Sequence, residues 1–65
     1  MPFIQVNMGA GRTPEQKRAM LDGIVEAVHR SLDAPYDSIR AWIVELDADE
    51  TMIGIESLAE KRARS

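Results

Sequence analysis

Residues 3–16 read FIQVNMGAGRTPEQ, and two structural periods meet within them. From Phe3 to Met8 the apolar residues Ile4, Val6 and Met8 alternate with Phe3, Gln5 and Asn7, the two-residue repeat of a strand covered on one face. Gly9-Ala10-Gly11-Arg12 breaks the repeat. Thr13 then suits a helix N-cap, Pro14 the first helical position, and Gln16 the far side of a capping box. A strand that runs into a capped helix through four residues is the first half of a crossover unit.

Downstream, Leu21, Ile24, Val25, Val28 and Leu32 make one apolar stripe, which predicts a helix from about Pro14 to Leu32. Lys17, Arg18, Asp22, Glu26 and Arg30 fall on its other faces and read as solvated surface. Asp33-Ala34-Pro35 ends it, because a residue before proline is pushed out of the α region. Ser38 to Leu46, SIRAWIVEL, predicts a second strand, more continuously apolar than the first and so expected to be buried on both faces. Asp47 to Glu50 reads as an acidic turn, and Met52 to Ser65 as a short hairpin, a helical turn or a disordered end.

The predicted fold is therefore α/β, with residues 1–65 as one domain. It is a single β-α-β unit with parallel strands and a right-handed crossover, followed by a short C-terminal hairpin or turn. One such unit leaves a sheet edge and a sheet face uncovered, so it is expected to be completed by oligomerisation. Composition points the same way. A chain of 65 residues buries only about 60% of its unfolded surface. With no cysteine and one histidine, neither a disulfide nor a metal staple is expected.

Eight basic and eleven acidic residues leave a net charge of −3, which is not the footprint of a nucleic-acid binder. No apolar run approaches the ~20 residues of a membrane span, and no secretory signal opens the chain. The expectation is a cytoplasmic protein with no nucleic-acid and no membrane partner.

One residue upstream of the first strand stands Pro2, which a strand tolerates at its start because it has no N–H to give. Methionine aminopeptidases remove Met1 before a small residue such as proline, leaving a free secondary amine. An α-amino group has a reference pKa of roughly 7.7 to 8.0. Burial and neighbouring cations push it down, toward the range useful to a general base. Arg12 lies just beyond the first strand and Arg40 near the start of the second. Guanidinium forks hold carboxylates and donate to oxygens that gain charge. A base with two arginines suits proton transfer on a small keto or enol acid. Gly9-Ala10-Gly11 lacks the remaining spacing of a phosphate loop.

Pro2, Gly11-Arg12, Glu15-Gln16-Lys17, the run Arg30-Ser31-Leu32-Asp33-Ala34-Pro35, and Ser38 with Arg40 are together similar to the short-chain, 4-oxalocrotonate tautomerase type of the tautomerase superfamily. The resemblance runs without a gap from Pro2 to about Glu45. It implies a homohexamer, built as a trimer of dimers, that needs neither cofactor nor metal and acts on a small carboxylate-bearing substrate. It further implies Pro2 as catalytic base, Arg12 as binder of a substrate carboxylate, and Arg40 of a neighbouring subunit as the group polarising the carbonyl.

Departures from the pattern bear on substrate. Where the family has a pocket phenylalanine this chain has Thr51, with Met52 adjacent; Trp42 replaces a smaller aliphatic residue and could itself refill the pocket. The glycine-rich stretch is here Ile53-Gly54-Ile55-Glu56. His29, with Glu50 or Glu56 as the acid, resembles a branch that hydrates or dehalogenates small unsaturated acids, in which Pro2 would act as a general acid. The reading from another class is a small oligomeric binding module.

Overall fold

A computed structural model describes residues 1–64; the last residue of the predicted tail, Ser65, lies outside the described residues. The first strand, β1, spans Phe3–Gly9, the first helix, α1, Pro14–Leu32, and the second strand, β2, Arg40–Leu46. A hairpin of β3 (Met52–Ile53) and β4 (Glu56–Ser57) leads into a short helix, α2 (Leu58–Ala63). The tail is thus both hairpin and helix. Among the described residues, no helix is long and apolar enough to cross a membrane.

The start of α1 forms as its local chemistry dictates. The Thr13 hydroxyl accepts from the Gln16 amide at 3.1 Å, and the Gln16 side chain accepts from the Thr13 amide at 3.1 Å. These reciprocal bonds satisfy two N–H groups that have no partner inside the helix. At the other end Asp33 adopts a left-handed conformation, φ 54° and ψ 37°, which turns the chain back before Pro35.

β1 and β2 pair in parallel, with Phe3 opposite Arg40, Gln5 opposite Trp42, Asn7 opposite Val44 and Gly9 opposite Leu46. The alternation in β1 is as the sequence predicts, with Ile4, Val6 and Met8 the less exposed set. Two expectations for β2 need correction. It starts at Arg40, because Ser38 belongs to a 3₁₀ turn over Tyr36–Ser38. There the Ser38 amide and hydroxyl both donate to the Pro35 carbonyl, at 3.0 and 2.8 Å, instead of entering the ladder. Nor is β2 buried on both faces. Ala41 and Ile43 are half-buried, but Trp42, Val44 and Leu46 remain exposed at 39%, 37% and 37%. α1 lies across one face of the sheet, and the other face, which carries Trp42, Val44 and Leu46, is left open among the described residues.

The single protomer accordingly has almost no core of its own. Ile39 is its one buried apolar side chain among the described residues. Its accessible surface is 4877 Å², against about 4,200 Å² for a compact monomer of this mass. Its radius of gyration is 14.9 Å, against roughly 11 Å for a compact domain of this length. The hairpin contributes to the excess: Met52, Ile53 and Ile55 are all exposed, Ile55 completely.

α2 returns to the carboxyl end of the sheet. A Cβ on Gly9 would lie 2.7 Å from Leu58 Cδ2 and 2.7 Å from the Arg62 guanidinium, so glycine is what lets the helix settle there. Ser57 and Glu60 form a second capping box, and the Ser57 backbone and side chain hold the Glu60 carboxyl below the usual carboxylate range.

Candidate active site

The predicted site residues separate into two groups at opposite ends of the sheet. At the amino end, the half-buried Pro2 accepts a hydrogen bond through its carbonyl from the Arg40 amide at 3.0 Å. Parallel pairing is what brings together two residues 38 positions apart, because both strands start at the same end. Arg40 Nη1 donates to the Asp37 carbonyl at 2.6 Å, with the Ile39 carbonyl at 3.5 Å. Among the described residues its Nε and Nη2 have no protein partner, so one full donor edge remains for an anion. Trp42 stands two residues on along β2, on the same face, and meets Phe3 edge to face with ring centroids 6.4 Å apart. Pro2, Phe3, Arg40 and Trp42 thus form one corner that combines an apolar wall with a cation.

Met1 precedes Pro2 in this chain and is exposed. While Met1 is attached, the Pro2 nitrogen is an amide whose lone pair is delocalised into the carbonyl. Base chemistry at this atom therefore requires that Met1 be removed.

Arg12 sits at the other end. It follows Gly11, whose φ of 129° turns the chain from β1 toward α1. It borders two shallow clefts, one of about 230 Å³ lined by Met8, Arg12, Gln16, Lys17 and Met20, and one of about 220 Å³ lined by Ala10, Gly11, Arg12, Gln16 and Arg62. Arg62 is a cation that sequence reasoning missed. Its Nη1 donates to the Ala10 carbonyl at 2.9 Å across 52 residues, a pairing with no local signal. Lys17 is engaged with Glu45 at 2.9 Å.

β1 has seven residues, and six steps of about 3.3 Å separate its ends by ~20 Å. Arg12 of a chain therefore cannot touch a small molecule held by Pro2 of that same chain. The Arg40 main chain, by contrast, is already beside Pro2 within one protomer.

The remaining candidates fall outside the amino-terminal corner. Thr51 follows the acidic 3₁₀ turn Ala48–Glu50, and its hydroxyl donates to the Asp47 carbonyl at 2.7 Å. Met52 opens the exposed hairpin. Glu50 is exposed at the same end, and Glu56 is paired with Arg64 through two hydrogen bonds. His29, on the last turns of α1, is half-buried, with Nδ1 2.7 Å from the Ala34 carbonyl and its ring stacked on Tyr36 at 3.9 Å. The Tyr36 hydroxyl donates to Glu26 at 2.8 Å. That bond, with burial and the Glu26 charge behind it, raises the phenol above the ordinary tyrosine range, so it stays a donor. No group of three or more acidic or histidine side chains among the described residues could hold a metal ion.

The family model described as tautomerase enzyme matches residues 2–61. A 2-hydroxymuconate tautomerase from Stutzerimonas stutzeri is 42% identical over 57 residues, 88% of this chain and 90% of that one. One from Pseudomonas putida is 39% identical over 62 residues, 95% of this chain and 98% of that one. Among solved structures, a 4-oxalocrotonate tautomerase isozyme from Methylibium petroleiphilum superposes with a TM-score of 0.88 at 39% identity, covering 98% of this chain and 100% of that one. A parallel β-α-β unit with a proline and an arginine at the shared start of its strands, matched over nearly its whole length, makes this chain a member of the tautomerase family and an isomerase.

Proposed function

We propose that the enzyme catalyses 1,3-keto-enol proton transfer on a small 2-hydroxydienoate or enolpyruvate-type acid, with Pro2, freed of Met1, as general base. The nitrogen takes the proton from the enol hydroxyl and returns it to carbon, so no atom is gained or lost. Arg40 donates to the oxygen that carries negative charge in between, and Arg12 of another chain grips a substrate carboxylate. Trp42 supplies apolar wall from the same corner, and the Thr51–Met52 segment of another chain completes it. The reading needs no metal or cofactor, because each step is a proton movement that an amine and two guanidinium groups can support.

The observation that carries this reading is the bond between the Pro2 carbonyl and the Arg40 amide, which brings the main chains of the proposed base and electrophile to one corner. The separation of Pro2 from Arg12 then argues for an assembly of several identical chains. Family resemblance favours a homohexamer built as a trimer of dimers, and the uncovered apolar sheet face of the protomer supports burial against other copies. His29 lies on α1 and is grouped through Tyr36 with Glu26, whereas Glu50 and Glu56, the acids of the hydration reading, belong to the segment beyond β2.

Mixing tests the shared site. Pro2→Ala and Arg12→Ala chains are expected to be poorly active as separate homo-oligomers. Co-expressed, random assembly gives about a quarter of the sites an intact Pro2 from one chain and an intact Arg12 from another, half times half. Recovery of about a quarter of the wild-type rate on 2-hydroxymuconate supports the proposal. No recovery in demonstrably mixed oligomers contradicts it.

A further inference from the structure

Arg40 owes its position to a connector that the proposed chemistry leaves unused. Seven residues, 33–39, join α1 to β2, and they are held at three places. The His29 ring reaches from the last turns of α1 to the Ala34 carbonyl at 2.7 Å. Because that carbonyl can only accept, Nδ1 carries the hydrogen. The same ring lies flat on Tyr36, with centroids 3.9 Å apart and planes 15° from parallel. Tyr36 in turn donates to Glu26, one turn before His29 on the helix, at 2.8 Å. Tyr36 is the first residue of the 3₁₀ turn Tyr36–Ser38, and its carbonyl accepts from the Ile39 amide at 3.2 Å. The next residue, Asp37, offers the carbonyl that holds Arg40 Nη1 at 2.6 Å.

We propose that His29 is a positioning residue for Arg40. By holding the Ala34 carbonyl and stacking on Tyr36 it fixes the turn whose Asp37 carbonyl anchors the Arg40 guanidinium, leaving the Nε–Nη2 edge turned toward substrate. This rests on the reading that Arg40 works on the substrate. It gives the single histidine a task other than activating water: His29 touches no reacting atom and acts through four residues of backbone and one ring. Fixing a guanidinium matters because its fork is directional. An arginine free to sample several rotamers presents the right edge only part of the time, and a misplacement of about 1 Å at a positioned group costs up to roughly a hundredfold in rate.

A double-mutant cycle on the assembled enzyme tests the coupling, with kcat/KM for 2-hydroxymuconate as the main readout. His29→Leu is expected to lower kcat/KM about tenfold, and to have no further effect when Arg40 is already alanine, since the group it positions is gone. His29→Asn, which keeps a side-chain N–H for the Ala34 carbonyl, and His29→Phe, which keeps the ring stack, should each recover part of the loss. Oligomeric mass and melting temperature are measured alongside. If His29→Leu fails to assemble, the same cycle is run with His29→Phe and Tyr36→Phe, which retain the stacked pair. Additive losses, or full activity in a folded His29→Leu enzyme whose Arg40→Ala counterpart is impaired, would overturn the coupling alone. An Arg40→Ala enzyme of undiminished activity would instead overturn the role of Arg40, and this inference with it.

Discussion

Pro2→Ala is expected to lower kcat on 2-hydroxymuconate by at least roughly a hundredfold, within the 10²- to 10⁴-fold that a positioned general base contributes. KM should change little, because the arginines proposed to grip the substrate are untouched. The loss should sit toward the lower end of that range, since alanine also permits removal of Met1 and leaves a primary amine at the same place. What is lost is the ring that fixes the direction of the lone pair. A chain that retains Met1 should lose more, because an amide nitrogen has no lone pair to offer. Intact mass distinguishes the two cases before any rate is measured. The wild-type rate should rise as the amine loses its proton; a rate that falls instead would favour the hydration reading, in which Pro2 is an acid.

Val44→Asp is expected to dissolve the proposed assembly and abolish activity with it. Val44 sits between Trp42 and Leu46 on the face that α1 does not cover, opposite Asn7 in the ladder. In the isolated chain this face is open, and Phe3, Trp42, Val44 and Leu46 are all exposed upon it. A carboxylate buried there without a partner costs several kcal/mol per copy, and symmetry repeats the charge on every chain. A protomer with one buried apolar residue among those described has little stability of its own to offset this. Light scattering should report a lighter species, and the melting temperature should fall steeply. Ala27→Asp, on the exposed side of α1, adds the same charge and should leave mass, melting and rate unchanged. A Val44→Asp enzyme of wild-type mass and rate would mean that subunits meet elsewhere.

What the sequence made legible was local, or periodic, or both. Thr13 and Gln16 are three residues apart, so their reciprocal bonds could be read without knowing anything beyond the first turn. Ile4, Val6 and Met8 announced the covered face of β1 because side chains alternate strictly along a strand. β2 was harder, since its run of apolar residues looks the same whether the second face is buried by the chain itself or by a copy of the chain. Ser38 was read as strand although its hydroxyl and amide turn back to Pro35, a competition that composition does not reveal.

At the site, the sequence pointed to Pro2, Arg12 and Arg40, but not to their distances. Pairing register puts Arg40 beside Pro2 in the same protomer, and strand length puts Arg12 ~20 Å away from both. Arg62 escaped notice because its bond to Ala10 closes a loop of 52 residues. The His29–Tyr36–Glu26 cluster escaped for a related reason. Tyr36 reaches back ten residues to Glu26 only once Asp33 has turned the chain in its left-handed conformation; aspartate is enriched in that conformation but does not require it, so the sequence marks the helix end and not the direction of the turn.

The proton affinity of the Pro2 nitrogen tests the central claim most directly. With ¹⁵N-labelled proline in the assembled, Met1-free enzyme, that nitrogen can be followed by NMR across pH and compared with the pH dependence of kcat/KM. A midpoint clearly below that of an ordinary free α-amino group, coincident with the rising limb of the rate profile, is the predicted result. A midpoint at the ordinary solution value, or a rate profile indifferent to it, would contradict the account.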